Sequence, residues 1–134
     1  MRRGDYLTSY GGVLYHLDEK YYANAVRRAL EEFEGAAPRF LVFSEDVAWC
    51  REQECFRGAT IVDDRNDVRS LWIMSQFKHY IMSNSTFCWW SVFLNNSYGR
   101  VIAPLPWHHA STNQQCDDVY LENWIKLPVK NDEK

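Results

Sequence analysis

Small polar residues in the middle of the chain have a pattern that suits the binding of an anion. Asn84, Ser85 and Thr86 follow a short apolar run and precede an aromatic-rich run that is typical of a helix. A strand, then small polar residues, then a helix start presents free backbone N–H groups and hydroxyls to a phosphate. A plain N-cap before a buried helix explains the same residues, and it is the stronger interpretation of this stretch alone because Ser and Thr are common caps.

Two arginines near the start of the sequence could neutralise such an anion. Arg2 and Arg3 precede Gly4 and Asp5, and residues 2–7 have the pattern of the end of a strand whose beginning is missing. A guanidinium group can hold a phosphate through two parallel hydrogen bonds. A solvated basic terminus is the simpler interpretation in an arbitrary protein.

A third polar group, with two acidic residues, follows a continuous apolar run. Ser44, Glu45 and Asp46 come at the end of residues 39–44, which are predicted to form a buried strand. Carboxylates suit a ribose diol or the N1/N2 edge of guanine, since both offer hydrogen-bond donors. Ligands of open parallel sheets bind beyond the carboxyl ends of the strands, so we expect the three groups at that edge.

The elements that must position these groups alternate between strand and helix. This order predicts an α/β fold, a Rossmann-like parallel sheet with helices on both faces. The predicted helices are residues 18–34, 47–53, 68–77 and 87–94, and the predicted strands are residues 39–44, 59–62, 79–83, 100–103 and 124–127. We expect one domain over residues 1–128 and a frayed tail over 129–134.

Composition excludes several classes of function. The chain has 134 residues, 46% of them apolar, and a net charge of −3, which is typical of a globular domain and argues against nucleic-acid binding by phosphate neutralisation. No apolar run approaches the roughly 18 residues of a membrane-spanning helix.

Neither a metal nor a bound cofactor is expected. The four cysteines (Cys50, Cys55, Cys88 and Cys116) lack a zinc-site spacing, so we predict free, partly buried thiols, with a Cys50–Cys55 disulfide less favoured. There is no Gly-rich dinucleotide or Walker-type loop and no Asp-x-Asp pair at a strand end. We interpret Asp63 and Asp64 as solvated or capping residues.

Aromatic and histidine residues are predicted to be structural. Val68 and Trp72 are expected to face inward on their helix, and Trp89 and Trp90 are expected to be core residues. The histidines have no neighbours that indicate a nucleophile–base pair.

The two longest polar motifs together resemble those of the α-1,2-fucosyltransferases, inverting enzymes of glycosyltransferase family 11. Members carry a His-x-Arg-Arg-Gly-Asp-Tyr element and, later, an Asn-Ser-Thr-Phe-Ser-Trp-Trp element. Residues 2–6 and 84–90 match these, with Cys88 in place of the second Ser. Further matching stretches are Tyr21-Tyr22, Phe43-Ser44-Glu45-Asp46, Trp49-Cys50, Met74-Ser75, Ala103-Pro104 and Trp107.

The resemblance implies one half of a two-domain, GT-B-type enzyme. This chain matches the carboxyl-terminal half that binds the donor GDP-fucose, without the amino-terminal acceptor domain and without the first strand, which carries the motif histidine. The implied reaction moves L-fucose to the 2-hydroxyl of a terminal galactose on a glycan, without a metal. The implied location is the cytoplasm or the inner-membrane periphery in bacteria, or the Golgi membrane in eukaryotes.

The resemblance also implies roles for individual residues. Arg2, Ser85 and Thr86 match positions on the β-phosphate, and Glu45 and Asp46 match an acidic pair near the nucleoside. Ser70 stands where the family tends to have an acidic residue, so base recognition requires a substitute such as Asp67. The general base is not identified. The residues expected at the donor site are Arg2, Arg3, Asp5, Ser44, Glu45, Asp46, Ser70, Asn84, Ser85, Thr86 and Phe87.

Two alternatives remain open at this point. The chain could be a catalytically inert nucleotide-sugar-binding or interaction module that has lost its acceptor domain, or a fold relic that binds nothing. Because a parallel sheet without one strand exposes backbone and apolar surface, we also expect self-association.

Overall fold

Helices and short parallel strands alternate along the chain in the computed structural model, which describes residues 13–33, 37–109, 112 and 116–129. In these ranges the helices are α1 (Glu19–Glu32), α2 (Val47–Glu52), α3 (Asp67–Met74) and α4 (Thr86–Phe93). The strands are β1 (Leu41–Phe43), β2 (Thr60–Val62), β3 (Tyr80–Ile81), β4 (Val101–Leu105) and β5 (Ile125–Pro128). The predicted α/β class is confirmed, whereas the strand end predicted at residues 2–7 lies outside the described residues.

The described strands form two small sheets where one continuous sheet was predicted. β1 pairs with β2, and separately β4 lies between β3 and β5. Every one of these pairings is parallel. The prediction of parallel strands is therefore correct, and the prediction of a single sheet is wrong for the described residues because no ladder joins β1 to β3.

Helix α1 covers both sheets. Its N-cap Asp18 accepts a hydrogen bond from the Tyr21 backbone nitrogen at 3.0 Å. Its buried face consists of Tyr21, Tyr22, Ala25 and Ala29. These residues share one core cluster with Ile102 and with flanking apolar residues of both sheets, namely Val42, Ile61, Ile81, Ile125 and Leu127. One amphipathic helix therefore binds the two sheets into a common core.

The opposite face of the three-stranded sheet belongs to a second core cluster. Alternate strand residues point to opposite faces, so Tyr80 and Val101 lie in this cluster while their neighbours Ile81 and Ile102 face α1. Helix α4 contributes its buried residues Cys88 and Val92 to the second cluster and contacts α3. Helices thus cover both faces of this sheet, as predicted.

Three aromatic or apolar side chains that were predicted to be buried are exposed to solvent. Val68 is 80% exposed, Trp72 is 65% exposed and Trp90 is 48% exposed. Small residues, such as Ser70 on α3 and Ser91 on α4, take the buried positions instead. Trp72 lies in the continuous apolar run 71–74, which shows no clear period and so does not reveal which side of the helix faces the core.

Other predictions concern the cysteines and the carboxyl terminus. All four cysteines are free, and Cys50 and Cys88 are buried, so the prediction of unpaired thiols is confirmed. Val129, the first residue of the predicted frayed tail, donates its backbone N–H to the Leu105 carbonyl oxygen at 2.9 Å. Residues 130–134 lie outside the described residues.

Candidate functional site

A pocket of about 350 Å³ lies beyond the carboxyl ends of β1 and β2. Four residues that were predicted for the donor site line it together: Ser44, Glu45, Ser70 and Phe87. The loop after β1 supplies Ser44 and Glu45, helix α3 supplies Ser70, and the first turn of α4 supplies Phe87. The carboxyl edge of these parallel strands therefore brings four of the predicted residues together, which is where an open α/β sheet is expected to bind ligands.

The loop after β2 gives the pocket a strongly acidic wall. Asp63, Asp64 and Asp67 line it together with Glu45, and Arg65 is the only basic side chain among the described lining residues. From the sequence, this loop offered only Asp67 at its end, as a substitute in base recognition, while Asp63 and Asp64 were interpreted as solvated or capping residues. Its position directly after a strand that runs parallel to β1 is the signal that could have indicated it.

An ion pair fixes the shape of this loop. The Asp64 carboxylate accepts hydrogen bonds from Arg69 Nε at 2.5 Å and from Nη2 at 2.7 Å. The Arg69 guanidinium, followed by the Asn66 backbone N–H, lowers the pKa of Asp64 to about 2. Asp64 is therefore ionised at neutral pH, and its charge is partly neutralised within the loop.

Ser70 and Asp67 lie on the same pocket wall. Ser70 is buried, and its hydroxyl donates to the Asp64 carbonyl oxygen at 3.4 Å. Asp67 is exposed in the first turn of α3. The pocket thus has a carboxylate on α3 that is close in sequence to the buried Ser70.

Glu45 and Asp46 are adjacent but have different environments. The Asp46 carboxylate accepts from the Trp49 backbone N–H at 3.1 Å and is the N-cap of α2. The Ser44 hydroxyl accepts from the Asp46 backbone N–H at 3.0 Å and holds the turn. Of the acidic pair, Glu45 lines the pocket and Asp46 does not.

Asn84 and Ser85 hydrogen-bond to the protein's own backbone. The Asn84 amide nitrogen donates to the carbonyl oxygens of Tyr15 at 2.9 Å and Trp107 at 3.2 Å, and the residue is 2% exposed. Ser85 is the buried N-cap of α4 and accepts from the Phe87 backbone N–H at 3.3 Å. The N-cap interpretation is therefore confirmed for Ser85, whereas Thr86 is exposed and Phe87 lines the pocket.

Three residues predicted for the site lie outside the described residues, namely Arg2, Arg3 and Asp5. The first described residues lie at the carboxyl edge of the second sheet. The Val13 carbonyl oxygen accepts from the His109 backbone N–H at 2.9 Å, and Leu14 forms an antiparallel bridge with His108. The chain therefore enters the described region at the edge where the pocket lies.

The charges of the pocket decide what it can bind. Ionised carboxylates accept hydrogen bonds, so this wall suits a base edge or a sugar diol and repels an unneutralised diphosphate. Among the described residues, no three His, Cys, Asp or Glu side chains lie close enough together to hold a metal ion. Independence of metal stays a prediction.

The described helices include none that is long and apolar enough to span a bilayer.

Comparison with curated proteins identifies three relatives. The chain is 31% identical over 135 residues to an alpha-1,2-colitosyltransferase of Escherichia coli, covering 95% of this chain and 46% of that protein. It is 28% identical to the O-antigen biosynthesis glycosyltransferase WbnK of Escherichia coli, covering 95% and 43%. It is also 28% identical to galactoside alpha-(1,2)-fucosyltransferase 2 of Bos taurus, covering 96% and 40%.

The chain spans less than half the length of these relatives. No solved structure matches it significantly. Residues 1–128 match glycosyl transferase family 11, which is nearly the whole sequence and includes both polar motifs and the acidic pocket. The chain belongs to glycosyl transferase family 11.

Proposed function

We propose that this chain is the donor-binding half of an inverting glycosyltransferase that uses GDP-fucose and fucosylates the 2-hydroxyl of a terminal galactose on a glycan. The observation that carries the proposal is the acidic pocket beside the start of α4 in a member of this family. The reaction itself also requires an acceptor-binding half.

The nucleobase is the group that the acidic wall fits best. Guanine offers N1–H and an N2 amino group on one edge, so a single carboxylate can accept two hydrogen bonds from it. The exposed carboxylates that line the pocket are Glu45 after β1, Asp63 after β2 and Asp67 on α3, and we assign this role to Asp67 or Glu45. Uracil offers one ring N–H between two carbonyl acceptors, so an acidic wall favours GDP over UDP.

The diphosphate needs cations, and among the described residues that line the pocket only Arg65 is basic. We assign this role to Arg2, with Arg3 beside it, as the family motif implies. Thr86 is a better hydroxyl donor to phosphate than Ser85 because Thr86 is exposed, whereas Ser85 is buried and caps the helix. When the acceptor oxygen attacks the anomeric carbon, the bond to GDP breaks, and guanidinium groups stabilise the charge of the departing diphosphate.

The identity of the sugar is a separate part of the proposal. The relatives are named for the transfer of colitose and of fucose, so the family accommodates different sugars on the donor. We propose fucose because the motifs of this chain resemble those of the fucosyltransferases. A competition experiment between GDP-fucose and GDP-colitose tests this choice directly.

Calorimetric titration of the chain with GDP, GDP-fucose and UDP tests the donor site. We expect GDP and GDP-fucose to bind more tightly than UDP, with at least a tenfold loss of GDP affinity in Arg2→Ala, which is about 1.4 kcal/mol. The matched control is Arg57→Ala, since Arg57 lies on the surface and does not line the pocket. A folded chain that binds no GDP would overturn the proposal.

Transfer to a galactoside distinguishes an enzyme from an inert module. The assay uses labelled GDP-fucose with the chain alone and with the chain joined to an acceptor half from a relative. Transfer by the joined protein supports the enzyme. Tight binding of GDP-fucose without transfer in either form favours the inert nucleotide-sugar-binding module.

A further inference from the structure

Two neighbouring helices present an apolar surface to solvent. Helices α3 and α4 contact each other and both contribute to the second core cluster, so they form one layer on a single face of the three-stranded sheet. Five of the nine large apolar side chains that are exposed in the described residues belong to α3, to α4 or to the C-cap of α4. We call these five the aromatic face, namely Val68, Trp72, Trp90, Phe93 and Leu94.

The size of the aromatic face is more typical of a contact surface than of scattered exposed residues. Its three aromatic side chains are half to two-thirds exposed, which amounts to roughly 350 Å² of ring surface. Exposed apolar patches of a few hundred Å² are often binding surfaces. Even with Val68 and Leu94 included, the face is smaller than the roughly 800 Å² that each partner of a stable protein complex buries.

The sequence of this layer is unusual in its charge. No acidic residue occurs between Asp67 and Asp117, although the whole chain has 18 acidic and 15 basic residues. The same stretch contains the exposed cations Lys78 and Arg100, and neither has an ion pair within the described residues. The aromatic face therefore has basic neighbours and no carboxylate of its own beyond the first residue of α3.

Both cations lie at the end of the layer where α3 and α4 terminate. The Tyr80 hydroxyl donates to the Met74 carbonyl oxygen at the end of α3, at 2.9 Å, and accepts from the Asn95 amide nitrogen just after α4, at 2.7 Å. The Tyr80 backbone N–H donates to the Arg100 carbonyl oxygen at 3.0 Å, and Lys78 is two residues before Tyr80. The two helix ends and the two cations thus meet at the beginning of β3.

Carboxylates border the layer at its other end. Asp64 and Asp67 lie where α3 begins, in the wall of the acidic pocket. In the first half of α4, Trp89 Nε1 donates at 2.9 Å to the carbonyl oxygen of Val119, in the turn that contains Asp117 and Asp118. A negatively charged surface is therefore attracted at the end with the cations and repelled at the end with the pocket.

We propose that the aromatic face is a peripheral binding site for an anionic lipid surface, with Trp72, Trp90 and Phe93 at the level of the headgroups and Lys78 and Arg100 on the lipid phosphates. Trp side chains favour the membrane–water interface, and basic residues beside it are attracted to anionic lipids. A second copy fits less well, because it would bring the same cations and no carboxylate to the contact. The acidic pocket would then face away from the lipid. This inference concerns the helical layer and does not depend on which nucleotide the pocket binds.

Flotation with lipid vesicles tests the site. The vesicles contain phosphatidylcholine alone, or phosphatidylcholine with about one third phosphatidylglycerol. We expect the chain to float with the anionic vesicles only, and the double variant Trp72→Ser/Trp90→Ser to lose at least tenfold in partition coefficient. Lys78→Gln should weaken binding about fivefold, and added salt should weaken the binding of the unmodified chain.

The other face of the sheet provides matched controls. Leu30 on α1 is as exposed as Phe93, and Arg51 on α2 is exposed like Lys78. Both helices pack on the first core cluster, so these residues lie away from the aromatic face. Leu30→Ser and Arg51→Gln should therefore leave the partition coefficient unchanged, and circular dichroism checks that every variant is folded.

Several outcomes would overturn the proposal. One is a folded chain that does not float with the anionic vesicles, and another is equal binding by the double variant. Equal losses in the controls would show that the binding has no defined site. Equal binding to both kinds of vesicle, without a salt effect, would remove the role of anionic lipid. If sedimentation shows a dimer that the double variant dissociates, the aromatic face is an interface between copies instead.

Discussion

Polar residues follow strands at two places on the same edge of this fold, and they have opposite environments. After β1 and β2, Glu45 and Asp67 line an open acidic pocket. After β3, Asn84 and Ser85 are buried and hydrogen-bond to the protein's own backbone. The same sequence signature, polar residues after an apolar strand, thus belongs in one place to the wall of an open pocket and in the other to a structural junction.

The two regions differ because Asn84 joins distant parts of the chain, whereas the loop after β2 makes its contacts within itself. The Asn84 amide joins Tyr15, which precedes α1, to Trp107, which follows β4. No other described side chain is hydrogen-bonded to both of these carbonyl oxygens. The loop after β2 instead holds its own shape through the Asp64–Arg69 ion pair, which leaves Asp67 exposed in the pocket wall.

Removing the amide of Asn84 should break the junction. In Asn84→Ala the carbonyl oxygens of Tyr15 and Trp107 lose a buried donor, so we expect the free energy of unfolding to fall by about 3 kcal/mol. Urea denaturation measures this loss. The matched control is Asn96→Ala in an exposed loop, which should change stability by less than about 0.5 kcal/mol. Equal effects of the two variants would contradict the structural role.

Neutralising Asp67 should affect binding far more than stability. Asp67→Asn removes a charge from the pocket wall without changing the shape of the side chain, so the affinity for GDP should fall about tenfold, or about 1.4 kcal/mol. Asp118→Asn, in an exposed turn outside the pocket, is the control. Calorimetric titration of both variants, with urea denaturation alongside, separates the two effects. A loss of stability as large as that of Asn84→Ala would show that the two regions do not differ as described.

Removing the cap of α4 should have a smaller effect on stability. Ser85→Ala deprives the Phe87 backbone N–H of its acceptor, and we expect a loss of about 1 kcal/mol. Thermal unfolding measures it, and Ser85→Thr should recover part of the loss because Thr also caps helices. If Ser85→Ala leaves stability unchanged but abolishes GDP binding, its hydroxyl serves the ligand and not the helix.

The smallest expected effect is a pH dependence at the beginning of β3. Burial, followed by the charges of Lys78 and Arg100, lowers the pKa of His79. The Arg100 backbone N–H donates to the unprotonated His79 Nδ1 at 3.0 Å. The folded-state pKa of His79 therefore lies below its unfolded value of about 6.5. The stabilisation that neutral His79 gives to the fold is fully present above about pH 6.5 and is lost as the pH falls through the folded-state pKa.

Urea midpoints between pH 8 and pH 5 check this prediction. His79→Asn keeps an acceptor near the Arg100 backbone N–H but does not titrate in this range, so its midpoint should fall less on acidification. The same pH dependence in both proteins would assign it to other groups.

The alternation of strands and helices, the helical face of α1 and the position of Ser44 and Glu45 beyond the carboxyl end of a strand were predictable from the sequence. Apolar periodicity and the rule that ligands bind at carboxyl ends require only local information. The burial of Asn84 was not predictable, because its partners Tyr15 and Trp107 are far away in sequence. The separate sheets and the exposed Trp72 were missed for the same reason, since each depends on which elements are neighbours in space.

The position of α1 across both sheets has a consequence for cooperativity. Because its buried face packs in one cluster with Val42 of the first sheet and Ile102 of the second, neither sheet can lose its covering layer alone. The Tyr21 hydroxyl, which donates to the Met82 carbonyl oxygen at 2.7 Å, fastens the helix to the end of β3. The two sheets, which share no backbone ladder among the described residues, should therefore melt together in one transition, with α1 as the element that couples them.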